Sequence, residues 1–185
     1  MANIGVCKPY YAKYTATNGV VTYSTPTALG RATSVDITTE GKDPAILYAD
    51  NGPVEAVAVF GGGNATIGLD ELSLEVAKDV LGYGTGSAAD GITFETDKVA
   101  PYVGLGFIAK KVFNGVVKWR MVCLTKCQAK VPDISLTTQG ESVEFQTPSL
   151  EFTIMRDDKT VPSWSHWEDY TTEADALAAM IAFFS

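Results

Sequence analysis

Short runs of β-branched, aromatic and aliphatic residues alternate with polar positions along most of the chain. The clearest case joins residues 102–113 to residues 116–126 through Asn114-Gly115. Because Asn-Gly adopts the backbone angles that a two-residue turn between antiparallel strands needs, this pattern predicts a β-hairpin. A two-residue turn fixes the register, with these pairs opposite each other: Phe113 and Val116, Lys111 and Lys118, Phe107 and Val122. The lysines near the tip should then lie in solvent or face acids: Lys110, Lys111 and Lys118.

A second Asn-Gly pair predicts an N-terminal hairpin. Asn18-Gly19 separates residues 9–14 from residues 20–23, and both segments are rich in Tyr, Val or Thr. These residue types favour strands, so the turn signal and the flanking composition agree.

A third Asn-Gly pair, Asn51-Gly52, predicts a hairpin between residues 45–50 and residues 54–60. Pro53 follows the turn and has no N–H to donate, which indicates an edge strand or a position without a ladder hydrogen bond. As an edge element, this hairpin is the first candidate for contacts between copies of the chain. The candidate contact residues are Leu47, Tyr48, Asn51, Gly52 and Val54.

Two other stretches predict irregular strands. Residues 143–155 are typical of one long strand, and Pro148 in the middle indicates a bulge or an exposed edge. Gly61-Gly-Gly63 has the composition of a phosphate-binding loop but lacks the Gly-Lys-Ser/Thr that completes one. A strand bend or bulge is the better interpretation.

Two segments predict helices. Residues 71–81 follow Asp70, a suitable N-cap, and precede Gly82, a suitable C-cap. A second helix over residues 172–184 begins at Thr172 and has acids in its first turn. In the first helix one stripe should lie on a sheet: Leu72, Val76 and Val80. Because these helices do not alternate regularly with strands, a parallel βαβ sheet is disfavoured. The sequence predicts one mostly β domain over residues 1–185, with a mobile loop over residues 82–91.

Composition narrows the classes of function. The chain has 22 acidic and 14 basic residues and a formal net charge of −8, which disfavours specific binding to nucleic acid. No apolar run is long enough to span a bilayer, and residues 1–5 do not resemble a secretory signal. The three cysteines do not suggest a disulfide framework, and we expect them to be reduced and mostly buried: Cys7, Cys123 and Cys127.

Residues that could carry chemistry are sparse. His166 is the only histidine, and no nucleophile motif accompanies it. One histidine with Cys123 and Cys127 does not supply a zinc site. Asp157-Asp158 follows a predicted strand and is more typical of a turn than of a glycosidase-like acid pair. We therefore expect no catalytic residues, no cofactor and no metal site.

One acidic region has two interpretations. Between residues 36 and 55 the only base is Lys42. The region is either a solvated loop and hairpin, or a surface with negative potential such as the wall of a DNA conduit. The candidate lumen acids are Asp36, Glu40, Asp43, Asp50 and Glu55.

Several segments in order along the chain resemble the major tail (tail tube) proteins of long-tailed bacteriophages of the siphophage type. None of these segments is specific alone, but together they cover nearly the whole sequence. They are residues 8–10, 47–52, 68–73, 102–110, 117–120, 146–148 and 153–158. The acid-rich and Ala-rich segment over residues 172–184 fits the C-terminal helix of that family.

This resemblance implies a β-sandwich or partly open barrel with one packed helix and a C-terminal helix. It implies a non-enzymatic virion subunit that forms stacked hexameric rings in the host cytoplasm, without a membrane. Duplex DNA would pass through the tube without specific binding. The implied partners are further copies of the chain and the tail terminator, tape measure and distal tail proteins.

Three alternatives remain open at the level of sequence. The chain could be another assembly protein of similar fold, such as a related tube protein of a secretion system or a tail-completion protein, which differs in whether its rings stack indefinitely or stop. It could be a monomeric ligand-binding β-barrel, which would stay monomeric on gel filtration. It could also be an acid-pair hydrolase, in which a carboxylate would titrate abnormally.

Overall fold

The computed structural model describes residues 2–41, 45–49, 52–57, 59–82, 91, 93, 95–132 and 147–185. In these residues the chain is mainly β with two helices, as the sequence predicts. The elements are β1 (Ala2–Thr17), β2 (Val20–Tyr23), β3 (Thr27–Ala28), β4 (Ala32–Gly41), β5 (Ala45–Ala49), β6 (Gly52–Val57), β7 (Phe60–Leu69), α1 (Leu74–Leu81), β8 (Tyr102–Phe113), β9 (Val116–Ala129), β10 (Ser149–Met155), β11 (Ser165–Tyr170) and α2 (Glu173–Phe183). Most of the predicted loop lies outside the described residues, which omit 83–90.

One antiparallel sheet of nine strands dominates the fold. Its main path runs β2-β1-β8-β9-β10-β7-β4, while β3 pairs with β1 and β11 pairs with β9. The sheet curls until Cα atoms of β1 and β4 approach within 8 Å, although these two strands share no ladder within the described residues. The result is a barrel that is open between β1 and β4, in agreement with the predicted fold class.

The predicted hairpin at the centre of the chain is confirmed. β8 and β9 pair with Phe113 opposite Val116, and all three predicted residue pairs are present. Asn114 and Gly115 have positive φ angles of 49° and 77°. These are the signs that a type I′ turn requires at its two central positions.

The N-terminal hairpin is also confirmed, with a longer first strand than predicted. Thr17 pairs with Val20 across Asn18 and Gly19, whose φ angles are 52° and 78°. β1 begins at Ala2 because its first half forms a ladder with β8.

The third hairpin exists, but its predicted turn is wrong. Ala49 pairs with Gly52, so Gly52 belongs to strand β6 rather than to the turn. Residues 50 and 51 lie outside the described residues. The predicted second strand, 54–60, is also divided, because β6 ends at Val57 and Phe60 begins β7. β5 and β6 pair only with each other within the described residues, so Pro53 lies in an edge strand as predicted.

The prediction of a strand through Pro148 is wrong. β10 begins at Ser149, one residue after the proline, and residues 143–146 lie outside the described residues. Pro148 cannot donate to a ladder, but its carbonyl accepts a hydrogen bond from Leu69 N–H at 2.9 Å. The proline therefore marks the start of the strand.

The glycine run at the start of β7 forms the predicted bulge. The pairing between β4 and β7 shifts register there, since Glu40 pairs with Gly62 but Gly41 pairs with Phe60. A Cβ atom at Gly63 would lie 2.6 Å from the carbonyl oxygen of Thr38, so the close strand approach requires glycine.

Both helices form near the predicted positions. α1 begins later than predicted, because Ser73 rather than Asp70 caps it by accepting from Val76 N–H at 3.3 Å. Asp70 instead accepts a hydrogen bond from the backbone N–H of Arg31 at 3.0 Å. Gly82 ends the helix with a positive φ of 69°, as expected. Within the predicted stripe Val76 and Val80 are buried, while Leu72 precedes the helix and packs against the core. α2 is confirmed, with Thr172 as its N-cap.

The curved sheet buries side chains on both faces. The larger cluster fills the barrel interior and includes Leu105, Leu124 and Phe152. The smaller cluster lies between α2 and the outer face of β1, β8 and β9. Its buried members are Ala12, Met121, Cys123, Met180 and Phe184. The helix therefore covers one half of the outer sheet surface.

Candidate assembly surfaces

The other half of the outer sheet surface is polar and carries no described helix. On β4, β7 and β10 the aliphatic residues point into the barrel, so the alternate residues point outward. Cross-strand pairing continues these outward positions onto the end of β9. We call this surface the polar face; its residues are Asp36, Thr38, Glu40, Asn64, Thr66, Gln128, Lys130, Glu151 and Thr153.

The burial of these side chains fits an uncovered sheet. The outward residues of β4 and Glu151 of β10 are exposed, and those of the inner strand β7 are half-buried by their neighbours. Contacts of α2 with the sheet are to β8, β9 and β11, away from this surface. The sequence analysis missed most of these residues. The alternation of small polar with apolar residues in β7, from Asn64 to Ile67, was the available signal.

The charge of the polar face is concentrated on β4. Lys130 forms an ion pair with Glu151, so these two charges offset each other. Asp36 and Glu40 have no ion-pair partner among the described residues. They lie on the same side of one strand, about 13 Å apart at 3.3 Å per residue. This edge of the face therefore has negative potential.

The structure describes three of the five predicted lumen acids, and these three lie on two strands. Asp36 and Glu40 lie together on β4, opposite Thr66 and Gly62 of β7. Glu55 lies in β6, on the separate hairpin, opposite Leu47. Asp43 and Asp50 are outside the described residues.

Unpaired strand edges adjoin the polar face. Within the described part of the chain β4 pairs only with β7, although it is ten residues long. The first half of β1 pairs only with β8. The hairpin of β5 and β6 adds two more edges. Its candidate contact residues within the strands are Leu47, Tyr48, Gly52 and Val54, while Asn51 is outside the described residues.

The residues considered for chemistry have structural partners. The His166 ring stacks on Phe183 at 5.2 Å, and its Nε2 lies 3.7 Å from a Glu168 carboxylate oxygen. Buried Cys123 and Cys127 are free thiols, as expected, and Cys7 is half-buried. Burial raises the pKa of the Cys123 thiol to about 12, so it is protonated at neutral pH. In the described ranges no three His, Cys, Asp or Glu side chains are grouped as metal ligands would be.

The two neighbouring aspartates bind different parts of the protein. Asp157 is buried and accepts hydrogen bonds from the backbone N–H and the hydroxyl of Ser163, at 2.8 and 2.9 Å. Asp158 accepts from Lys126 and from the Tyr14 hydroxyl, both at 2.7 Å. These bonds hold the pKa of Asp158 below its ordinary value. Asp157 and Asp158 thus stabilise the connection between β10 and β11, in agreement with the prediction that they lie in a turn.

Among the described residues, neither helix has the length and apolar character needed to cross a bilayer. Comparison of the sequence with protein-family models and with curated proteins finds no match.

Proposed function

We propose that this chain is a structural subunit that assembles with copies of itself into a hollow tube, as the major tail proteins of long-tailed bacteriophages do. The observation that carries the proposal is the polar face. It extends over four adjacent strands, has no described helix on it, and ends at a strand edge that is unpaired within the described residues.

The unpaired edge favours assembly over a monomeric function. A long exposed edge strand presents a row of free N–H and C=O groups, which monomeric proteins usually shorten, bulge or cover. β4 extends over ten residues and is regular between its two register shifts. Copies of the chain arranged in a closed ring would cover every such edge.

The dimensions suit a conduit. Six copies with four strands each would give a wall of about 24 strands. At about 4.8 Å between strands and a tilt of about 40°, the wall has a diameter of about 48 Å. The side chains of the polar face, which would point into the tube, occupy about 8 Å of this diameter, so about 40 Å remains open, which is wide enough for duplex DNA.

The charges suit DNA that must slide. Phosphates are repelled by Asp36 and Glu40, and the only lysine of the polar face is neutralised by Glu151. The remaining side chains are small and uncharged. A wall of this kind offers DNA no unpaired basic side chain. The resemblance further assigns the ends of the tube to terminator, tape measure and distal tail proteins.

Assembly is tested directly with the purified full-length protein. Sedimentation velocity at increasing concentration should show growth beyond the monomer, and negative-stain electron microscopy should show hollow particles with a bore of about 40 Å. Monomers at every concentration would refute the proposal and favour a ligand-binding barrel.

The role of the polar face needs a second experiment. The double variant Asp36→Lys with Glu40→Lys should form tubes of normal width that retain duplex DNA, because the lining becomes basic. In a phage that carries it, DNA ejection should stall. The matched control is Glu71→Lys with Asp97→Lys, which makes the same charge change at exposed sites away from the face. Normal infectivity of the β4 variant would contradict a lumen position for these acids.

A further inference from the structure

A groove lies where the barrel is open, between the first half of β1 and β4. Its volume is about 540 Å³. The floor is formed by inward side chains of β8 and β9, and one end is formed by β11. The lining residues are Asn3, Gly5, Val6, Ser34, Val35, Ile37, Phe107, Ala109, Lys111, Arg120, Val122 and Trp167.

One end of this groove has excess positive charge. Arg120 donates to both carboxylate oxygens of Asp169, at 2.6 and 2.7 Å, and its guanidinium lies over the ring of Trp167. Lys118 is cross-strand from Lys111, and both lower the pKa of Asp169. One carboxylate therefore faces three cations.

Lys111 is the unusual member of this group. Its side chain lines the groove and is only 7% exposed. No described residue forms an ion pair or a hydrogen bond with its ammonium group. Lysine is rarely buried without a partner, because removing an ammonium ion from water is costly. The groove therefore offers a positioned cation to an incoming carboxylate.

The sides of the groove offer backbone hydrogen bonds as well. β1 over residues 2–7 and β4 over residues 32–41 each have one edge without a ladder in the described chain. Where the groove is open, an extended segment could pair with one of these edges, as in β-strand addition. The groove thus fits a strand that carries an acid.

We propose that the groove binds the hairpin of β5 and β6 from a second copy of this chain, with Glu55 on Lys111. This inference rests on the proposed function. In the described part of the chain one edge of strand β6 has no ladder, and Glu55 lies in that strand. The segment from residue 43 to residue 55, which includes the hairpin, contains three acids and no basic residue, which complements the basic end of the groove.

The first test compares two adjacent lysines on opposite sides of β8. Lys111→Met removes the positioned cation from the groove. It should raise the critical concentration for assembly about thirtyfold or more, because a partner of a buried charge pair is lost. Thermal stability of the monomer should not fall, since a buried unpaired charge is replaced by an apolar side chain of similar length. Lys110→Met, whose lysine lies over the Trp119 ring, should assemble like the wild type.

The second test shows whether the contact joins two chains. Lys111→Glu and Glu55→Lys should each fail to assemble alone, because like charges would meet in the contact. An equimolar mixture of the two variants should assemble, since each groove can then receive a hairpin of opposite charge from the other variant. The double variant in one chain should also assemble.

The outcomes separate this inference from the proposed function. Wild-type protein that never forms hollow particles would refute the proposed function. Wild-type tubes together with normal assembly of Lys111→Met would refute only the groove contact. Rescue in the double variant without rescue in the mixture would place the contact within one chain and would also overturn the inference.

Discussion

Glycine at position 104 should be required for α2 to dock on the sheet. A Cβ atom there would lie 2.5 Å from Cε1 of Phe184 and 2.9 Å from Cε1 of Tyr23. Both rings are fixed: Phe184 is fully buried, and the Tyr23 hydroxyl donates to the carbonyl of Thr125 at 3.0 Å. Alanine at position 104 can therefore be accommodated only if the helix end moves away from the sheet.

The magnitude follows from two opposing effects. Overpacking of a well-packed core costs about 1–3 kcal/mol. Alanine recovers about 0.5–1 kcal/mol relative to glycine in a strand, because it restricts the unfolded chain. Gly104→Ala should thus lower the free energy of unfolding by about 1–2 kcal/mol.

Gly106 and Gly5 supply graded controls. At Gly106 the new Cβ would lie 2.6 Å from Sδ of Met180, a flexible thioether, and 3.0 Å from Cε2 of Phe184, a looser contact than the one at Gly104. Gly106→Ala should therefore cost less than Gly104→Ala. At Gly5 no atom lies within 4 Å of the new Cβ, so Gly5→Ala should be neutral or slightly stabilising.

Urea unfolding followed by tryptophan fluorescence measures these differences. In a double-mutant cycle, Phe184→Leu should reduce the loss of unfolding free energy caused by Gly104→Ala, because the smaller leucine side chain leaves room for the new Cβ atom. Additive effects in the cycle would show that the contact with Phe184 does not limit this site.

Two further predictions concern the ion pair at the groove end and the start of α1. The pKa of Asp169 lies below its ordinary value near 3.8, chiefly because Arg120 donates hydrogen bonds to it. The ion pair therefore stabilises the fold above pH 3.8, and this stabilisation is lost as the pH falls through the lowered pKa. Asp169→Asn should cost about 1 kcal/mol at neutral pH, and its difference from the wild type in urea unfolding should shrink from about pH 5 to about pH 2; a pH-independent difference would contradict this origin. Ser73→Ala should cost about 1 kcal/mol and speed hydrogen exchange at the Val76 amide, whereas Asp70→Ala should leave that amide protected. Equal exchange at Val76 in both variants would refute the assignment of Ser73 as the cap.

The hairpins could be predicted because their turn residues favour the required backbone angles locally. Other features depend on contacts between residues far apart in the chain, and these could not be predicted. Asn18-Gly19 and Asn114-Gly115 place two residues with positive φ next to each other, which few other pairs do easily. The prediction from the third pair failed because Gly52 lies in β6, opposite Ala49, and composition does not choose between turns that differ by one residue. The same holds for α1, where Asp70 and Ser73 are both good caps. The backbone of Arg31 binds Asp70, and this tertiary contact leaves the helix start to Ser73.

The polar face and the groove depend on strand order, which the sequence does not determine locally. Thr38 and Thr153 are far apart in the chain, yet both are cross-strand from Asn64. The two-residue turn at Asn114-Gly115 predicted that Lys111 lies opposite Lys118. It could not show that β1 and β4 leave a gap in front of Lys111. Sites formed by the curvature of a sheet therefore cannot be predicted from sequence patterns.

Acids on β4 can act in two ways, and the lysine exchange separates them. Charged residues on an edge strand discourage unwanted pairing between sheets, whatever their sign. Asp36 and Glu40 could serve only this purpose in a monomer. Lysine prevents pairing between sheets at an edge strand at least as well as an acid does. Exchanging both acids for lysine therefore keeps this effect and changes only the sign of the electrostatic potential of the surface. If the acids merely protect the edge, the exchange should change nothing in DNA retention by assembled tubes. If they line a conduit, the exchange should make the lining of the tube bind duplex DNA. The affinity for DNA should then fall strongly as the salt concentration rises, because the new lysines contact phosphates.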